Sequence, residues 1–452
     1  MDKTEICKKI KQVKTIEEFA ELLDVIRQEE FGVTKNKITK KKLLYFCSSK
    51  YVYNRYKTFE IKKKSGGTRV INAPCYQLGL LLYLVNIIFK SIYTPDLSVN
   101  GFVEGRSIID NAQLHVGHHY VFNIDLKDFF PSISQSRVWK RIQLPPFNFT
   151  RDVANVIAGL CCNFDSERQK NVLPQGAATS PILSNAICEN LDRKMCGVAR
   201  RLGLHYSRYA DDITFSSMHN VYQPNSEFRL EIERIINEQG FVLNDKKTRL
   251  LRDRCRQEVT GLVVNRVLNV SREYVNGLRS ILYIWKTQGY AKAYSIFYRK
   301  YKEEKSYVKK GEPVMENVIE GKLNFLCMVK GKNNVAYQKL QRRFEKLMEW
   351  KEASNNNYSV RGYAFINIYE ICEFEKLFDT KISLLRSSRG NLVGECALYG
   401  VKKILSIEKT TQKWLCEKGV KCFDELLCRC YISLCRNRGK NFWLITMNLP
   451  RK

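Results

Sequence analysis

The chain has 452 residues, 44% hydrophobic and 12% aromatic, with 76 Lys and Arg against 46 Asp and Glu for a formal net charge of +30. That length exceeds one ordinary core, the apolar content excludes a disordered chain, and the charge points to a polyanionic partner, nucleic acid being the commonest. The longest apolar run, residues 78–89, is too short to span a bilayer, and the opening MDKTEICKKIKQVKT lacks the apolar segment of a secretory signal, so a cytosolic protein with no membrane partner is expected.

Residues 1–45 carry apolar positions at helical spacing, then a basic run, and predict a helical N-terminal extension. From residue 51 the pattern alternates (YKTFEIKKKSGGTRVINAP), predicting two strands joined at Gly66-Gly67 and ended by Pro74. A helix is expected over 78–93 and a buried strand over 120–124 (YVFNI). Residues 139–162 read as mostly helical, and another helix, 184–201, follows a Pro-Gln-Gly turn. Strands 206–209 and 213–216 bracket an Asp pair as a hairpin. An amphipathic helix over 228–239 stops at Gly240, and short strands are expected at 241–243 and 259–264. Past residue 271 the chain turns helical and basic, with aromatics (Tyr283, Trp285, Tyr290) among Lys and Arg, a mixture suited to lying along a duplex. After an Asn-rich linker at 352–359, the remainder reads as small, Cys-rich and mostly helical. The irregular alternation favours an α+β fold over a doubly wound sheet. The sixteen cysteines are expected as reduced thiols, because the densest group has neither a C-x-x-C pair nor a nearby histidine.

Two acidic positions break strand patterns: Asp125 in NIDLKDFFPSI and Asp211-Asp212 in YSRYADDITF. An isolated Asp pair commonly makes a turn. Carboxylates at adjoining strand ends are costly unless a cation neutralises them, and hard divalent ions bind such groups together with phosphate oxygens. Successive strand residues face opposite ways, so a tight turn must separate Asp211 from Asp212 for both to serve one centre.

Taken in order, NIDLKDFFPSI, LPQGAATSPILSN, YADD and KKSGGTRVINAP resemble the motifs of reverse transcriptases. Asn111-Ala112-Gln113-Leu114-His115 and Val259-Thr260-Gly261 resemble the N-A-x-x-H and V-T-G signatures of the retron enzymes. The likeness covers about residues 40–350. It implies a right-hand polymerase with a helical N-terminal extension (1–45), fingers and palm (46–270), a helical thumb (271–350) and a C-terminal accessory domain (351–452). It implies two Mg²⁺ ions, replaceable by Mn²⁺, held by Asp125, Asp211, Asp212 and the Leu126 carbonyl. Phe130 takes the steric-gate position. Arg69 and one of Lys62, Lys63 or Lys64 meet the triphosphate of a dNTP. Gln175 and Gly176 pack the nascent pair, Tyr209 supports the primer terminus or the template base, and Lys246 or Lys247 assists pyrophosphate departure. Asn111, His115, Val259, Thr260 and Gly261 fall under recognition of the cognate RNA, with local structure an alternative for His115. The implied partners are a structured non-coding RNA, its RNA–DNA hybrid and an effector protein in anti-phage defence. Another defence-associated reverse transcriptase, a group II intron enzyme and an idle RNA-binding scaffold stay open as alternatives.

Overall fold

The computed structural model describes residues 2–48, 55–62, 67–304, 313–357, 363–365, 403–405, 421–422, 433–437 and 440–444. It divides into two compact units. The first comprises Met1–Asn276, Tyr301–Pro313 and Asn324–Gly331; the second comprises Gly277–Lys300, Val314–Leu323 and Lys332–Lys452.

The first unit opens with α1 (Lys3–Gln12), α2 (Ile16–Phe31) and α3 (Lys40–Cys47). Thr15 and Glu18 form a reciprocal capping box that starts α2, and Gly32, left-handed at φ 64, ends it. These helices bury Ile6, Phe19, Leu23 and Leu43 in the same core as the rest of the unit, so they are not a detached appendage. β1 (Tyr56–Lys62) and β2 (Thr68–Pro74) pair antiparallel, and α4 (Tyr76–Ile92) follows. α5 (Ile108–Gln113), capped by Ser107 and Asp110, leads into β3 (Tyr120–Asp125). The expected helical stretch over 139–162 is two helices, α6 (Gln135–Ile142) and α7 (Arg151–Cys161), separated by a segment holding Pro145-Pro146. Next come the small hairpin β4 (Asn163–Asp165) and β5 (Lys170–Val172), then α8 (Ser180–Arg201), β6 (His205–Tyr209), β7 (Asp212–Ser217), α9 (Glu227–Glu238), β8 (Arg249–Arg252), β9 (Glu258–Val259) and β10 (Leu262–Val263).

The central sheet has the order β6-β7-β3-β8, antiparallel throughout. Its register fixes two unlike faces. Phe122, Tyr206 and Phe215 point one way, where Phe122 and Phe215 meet Phe228 of α9 edge-on at 6.1 and 5.1 Å. Asn123, Ser207, Thr214 and Ser216 point the other way; Thr214 donates to Asn123, and His115 bridges Ser207 and Ser216. The apolar face drives folding, while the polar face is held by paired donors and acceptors, so its burial carries little penalty.

Two sequence expectations change here. Residues 241–243 form no strand; Leu243 makes only an isolated bridge to Leu126. Residues 259–264 are not one strand but the tight hairpin β9–β10, because Thr260 (φ 48) and Gly261 (φ 81) are both left-handed and reverse the chain.

The second unit contains most of α10 (Arg272–Glu304), broken at Gly289, with part of α11 (Met315–Lys330) and α12 (Val335–Asn357). Leu282, Trp285, Ile319, Leu340 and Phe344 form its buried interior. Trp285, expected on a nucleic-acid face, is only 3% exposed and packs on Tyr290 and Phe344. Tyr290 donates its hydroxyl to Glu316 and lies under the Lys351 ammonium. Burial of the large apolar side chains thus claims part of the pattern that reads as a duplex track.

Beyond Asn357 the described residues are all strand: β11 (Tyr363–Phe365), β12 (Lys403–Leu405) and β13 (Lys421–Cys422) in one parallel sheet, and the hairpin β14 (Ser433–Asn437) and β15 (Lys440–Leu444). Helices expected there would lie outside the described residues. Among the described residues, no helix is long and apolar enough to cross a membrane.

Candidate active site

The Asp pair sits where the sequence places it. Tyr209 pairs with Asp212 across the β6–β7 hairpin, leaving Ala210 and Asp211 as a two-residue turn. Ala210 is left-handed at φ 58, a conformation that costs a non-glycine residue about 1 kcal/mol and must be held by its surroundings. On the neighbouring strand Asp125 lies directly opposite Asp212, and the Leu126 N–H donates to the Asp211 carbonyl at 3.1 Å. Three carboxylates from two segments therefore share the end of one sheet.

Their electrostatics differ. Asp125 is 7% exposed, with one oxygen accepting from Lys247 Nζ at 2.7 Å and the other from Asn244 Nδ2 at 2.8 Å; the Asn244 backbone N–H also donates to the Asp125 carbonyl at 2.9 Å. Asp211 is pushed above the ordinary carboxylate range, first by lost hydration and then by Asp125, with Lys247 and Arg69 opposing. Asp212 is pushed up to about 7 by lost hydration, then Asp211, then Asp125. The protein's own nearby ammonium is thus spent on Asp125, and two carboxylates are left pressing on each other.

That donor set suits a hard divalent cation, which takes one or two carboxylates and completes its shell from substrate phosphates. Among the described residues no group of three His, Cys, Asp or Glu side chains converges closely enough to hold an ion unaided. The arrangement matches an ion that arrives with a phosphate, not one caged by protein.

Around this centre the structure gathers several other expected residues. The Asn72 N–H of β2 donates to the Gln175 carbonyl at 2.8 Å, tying the β1–β2 hairpin to the Pro-Gln-Gly turn. Gly176 lies so close (φ 130) that a Cβ there would stand 2.8 Å from the Asn72 carbonyl oxygen. Arg69, exposed on β2, is near enough for its charge to act on Asp211. Phe130 is half-buried against Phe129. Lys63 and Lys64 lie outside the described residues, so the choice among the three lysines is not drawn from the structure. Lys247 stands on Asp125 itself, a first placement for the Lys246/Lys247 alternative.

The expectation for Asn111 needs correction, and of the two alternatives for His115 its burial favours local structure. Asn111 is 1% exposed and accepts from Asn100; His115 is fully buried, its ring nitrogens 2.7 Å from Ser216 Oγ and 2.8 Å from Ser207 Oγ. Burial pushes the His115 pKa down to about 3, which keeps the ring neutral. Neither side chain can touch RNA from there. His115 instead pins both strands of the β6–β7 hairpin from behind. Val259 is also buried at 1%, so only Thr260 and Gly261 of that triplet reach the surface, where they form the β9–β10 turn.

Sequence reasoning missed three supports. Arg208, fully buried, donates Nε and Nη2 to the two Asp192 oxygens at 2.7 and 2.6 Å, and Nη1 to Asn185 Oδ1 and the Ala210 carbonyl at 3.1 Å each. Gly101 faces the turn: a Cβ there would lie 2.4 Å from the Ala210 nitrogen. Phe102, left-handed at φ 62, places its ring 6.2 Å from Phe130 and 6.5 Å from Tyr209. The only sequence signal was composition, an Arg inside a strand and a Gly-aromatic pair in a loop.

Gly101→Ala is a sharp test of this packing. Because the obstructing atoms are backbone, the turn itself must move, and overpacking of this kind costs about 1–3 kcal/mol. The expected result is a lowered melting temperature and loss of most polymerising activity, read by thermal denaturation and primer extension; an unchanged rate would mean the turn tolerates displacement.

Comparison with known proteins agrees with this geometry. The family model described as reverse transcriptase (RNA-dependent DNA polymerase) matches residues 61–276. The retron Mx65 reverse transcriptase of Myxococcus xanthus is 39% identical over 242 residues, covering 50% of this chain and 55% of that protein. The retron Ec86 reverse transcriptase of Escherichia coli is 37% identical over 233 residues, covering 50% of this chain and 68% of that protein. This chain therefore spans little more than half the length of the Mx65 protein it matches. Among solved structures, telomerase from Candida albicans, in complex with a fragment of telomeric RNA, overlaps at a TM-score of 0.35 with 11% identity, covering 65% of this chain and 63% of that one. Identity at the level shared with the Ec86 protein, over that much of its length, makes this chain a member of the retron-type reverse transcriptase family, with a right-hand polymerase fold.

Proposed function

We propose that the protein is an RNA-directed DNA polymerase that copies a cognate structured non-coding RNA. The observation carrying this reading is the register Asp125↔Asp212 with Asp211 in the intervening turn, near enough to Arg69 for that charge to act on it. In the proposed layout the fingers and palm span 46–270, the thumb 271–350 and an accessory domain 351–452.

Arg69 receives the triphosphate, since guanidinium offers paired donors to phosphate oxygens. Gln175 and Gly176 present backbone and small side-chain surface to the nascent pair, and Tyr209 supports the primer terminus. Asp125, Asp211 and Asp212, with the Leu126 carbonyl, would hold Mg²⁺. The ions, when bound, supply charge neutralisation and activation for in-line displacement at the α-phosphate. Lys247, which lies 2.7 Å from Asp125, would give a proton to the leaving pyrophosphate. Phe130, backed by Phe129 and Phe102, closes the space where a ribose 2′-hydroxyl would lie. Phe130→Ala should therefore raise incorporation of ribonucleotides relative to deoxyribonucleotides by about tenfold or more, measured as the ratio of kcat/KM; an unchanged ratio would remove Phe130 from sugar selection.

The finer reading follows the retron relatives: priming from a 2′-hydroxyl of the RNA itself, a branched RNA–DNA product and a role in anti-phage defence with an effector. Gly261, exposed, and Thr260, half-buried beside it on the same turn, are the surface part of the RNA-recognition set. Sequencing the nucleic acid that co-purifies tests it. A branched RNA–DNA molecule is expected, whereas a protein–DNA adduct or long repeats would point to another defence-associated enzyme.

A further inference from the structure

Between α10 and α12, both faces of the second unit, lies an open cup of about 380 Å³ lined by Arg279, Ser280, Tyr283, Lys339, Leu340 and Arg343. The spacing explains it. Arg279 and Tyr283 are one turn apart on α10, and Lys339 and Arg343 are one turn apart on α12, so each pair shares a face. Leu340, 3% exposed, closes the floor. Tyr283 is 59% exposed and offers a ring to solvent at the rim.

Three cations line this cup with no counter-charge of their own among the described residues, unlike Arg201, which pairs with Glu231, and Lys194, which pairs with Glu238. Among the described residues, none of Arg279, Lys339 and Arg343 has a hydrogen-bond or ion-pair partner. Three like charges held around one concavity repel each other, and an arriving anion relieves that repulsion. An exposed aromatic ring beside unpaired cations, in a cup whose volume falls in the range of small-ligand sites (roughly 300–1,000 Å³), matches a nucleotide better than a bare ion. Every base presents a π-face, and its flanking phosphates carry the charge.

We propose that this cup takes one unpaired nucleotide of a single-stranded nucleic acid, its base stacked on Tyr283 and its phosphates met by Arg279, Lys339 and Arg343. The site deepens the proposed function by naming where an unpaired part of the strand is held, and it rests on that reading only for the presence of nucleic acid. A paired duplex does not satisfy it, because a stacked base pair offers no free face to the ring.

The test uses the full chain and fluorescence anisotropy with a labelled oligouridylate, which cannot self-pair, beside a blunt RNA–DNA hybrid. Tyr283→Ala is expected to weaken oligouridylate binding about tenfold while Tyr283→Phe retains it. The combined variant R279Q/K339Q/R343Q is expected to lower the salt slope of oligouridylate binding by about 1.4, the loss of contacts to the two phosphates that flank one nucleotide of a single strand. Hybrid binding should respond little to Tyr283→Ala. Equal affinity of Tyr283→Ala and wild type for oligouridylate, or an equal loss on both ligands, would overturn the proposal. Competition by polyglutamate that needs the three cations but ignores Tyr283 would reassign the cup to an acidic protein. If the wild type binds oligouridylate through Tyr283 yet extends no primer on RNA, the polymerase reading fails and the site stands.

Discussion

Replacing Asp211 or Asp212 by Ala is expected to lower primer extension by on the order of 10³-fold or more, because each removes a charge that acts only with the others at the reacting phosphate. The same substitutions should not unfold the chain. In metal-free protein Asp212 is pushed up to about 7 by lost hydration, Asp211 and Asp125, so its ionised form is worse placed in the folded than in the unfolded state. The sign follows: with the folded pKa raised, the contribution of Asp212 to stability is fully present below its ordinary value of 3.8 and is lost as pH rises through about 7. In chelator, Asp212→Asn should therefore melt higher than wild type at pH 8, and the gap should shrink toward pH 5. Added divalent cation should raise the melting temperature of the wild type and not that of Asp212→Asn. Calorimetry at the two pH values checks this; a variant that melts lower than wild type at pH 8 without metal would contradict the crowding of the carboxylates.

The second large effect is at Arg208. Its guanidinium lies 2.6 Å from Asp192 with both groups inside the core, 0% and 2% exposed as side chains. Arg208→Met strands the Asp192 charge, leaving only the Tyr206 hydroxyl at 2.6 Å to solvate it, and such a loss costs about 3–5 kcal/mol. Removing both charges with apolar groups of similar size is commonly near neutral, so R208M/D192L should recover most of that stability. Activity should not recover with it. The bond from Arg208 Nη1 to the Ala210 carbonyl is still missing, and with it the brace for the left-handed turn that carries Asp211. The double variant is thus expected to show a kcat reduced about a hundredfold with KM for dNTP little changed, the sign of an interaction that matters in the transition state rather than in binding. A double variant with wild-type kcat would reduce Arg208 to a packing role.

The legible part of the molecule was local. The hairpin around Asp211 and Asp212, the strand ending at Asp125 and the helix following the Pro-Gln-Gly turn each rest on short-range periodicity and turn chemistry, and each stands within a few residues of its expected place. The motif order carried the family. What the sequence could not show is which side chains face inward when several elements converge. Asn111 reads as an RNA contact, and His115 as an RNA contact or a residue of local structure, because motif matching reports position, not burial; in the fold His115 braces two strands behind the site and Asn111 accepts from Asn100. Asn244 and Arg208 escaped because their partners, Asp125 and Asp192, lie 119 and 16 residues away, with no period linking them. Residues 259–264 read as one strand because Val, Leu and Val dominate, yet two left-handed residues fold them back. Trp285 and Tyr290 looked like contacts for a duplex until the helix partners claimed them.

The central claim is that Asp125, Asp211 and Asp212 form one centre that adds deoxyribonucleotides to a primer under the direction of RNA. Its most direct test is single-turnover incorporation of a labelled dNTP on an RNA template in Mg²⁺, with wild type beside D211A/D212A. Template-directed incorporation by the wild type and none by the variant is predicted. Incorporation that survives in the variant, or a wild type that binds template and primer yet adds no nucleotide, would contradict it.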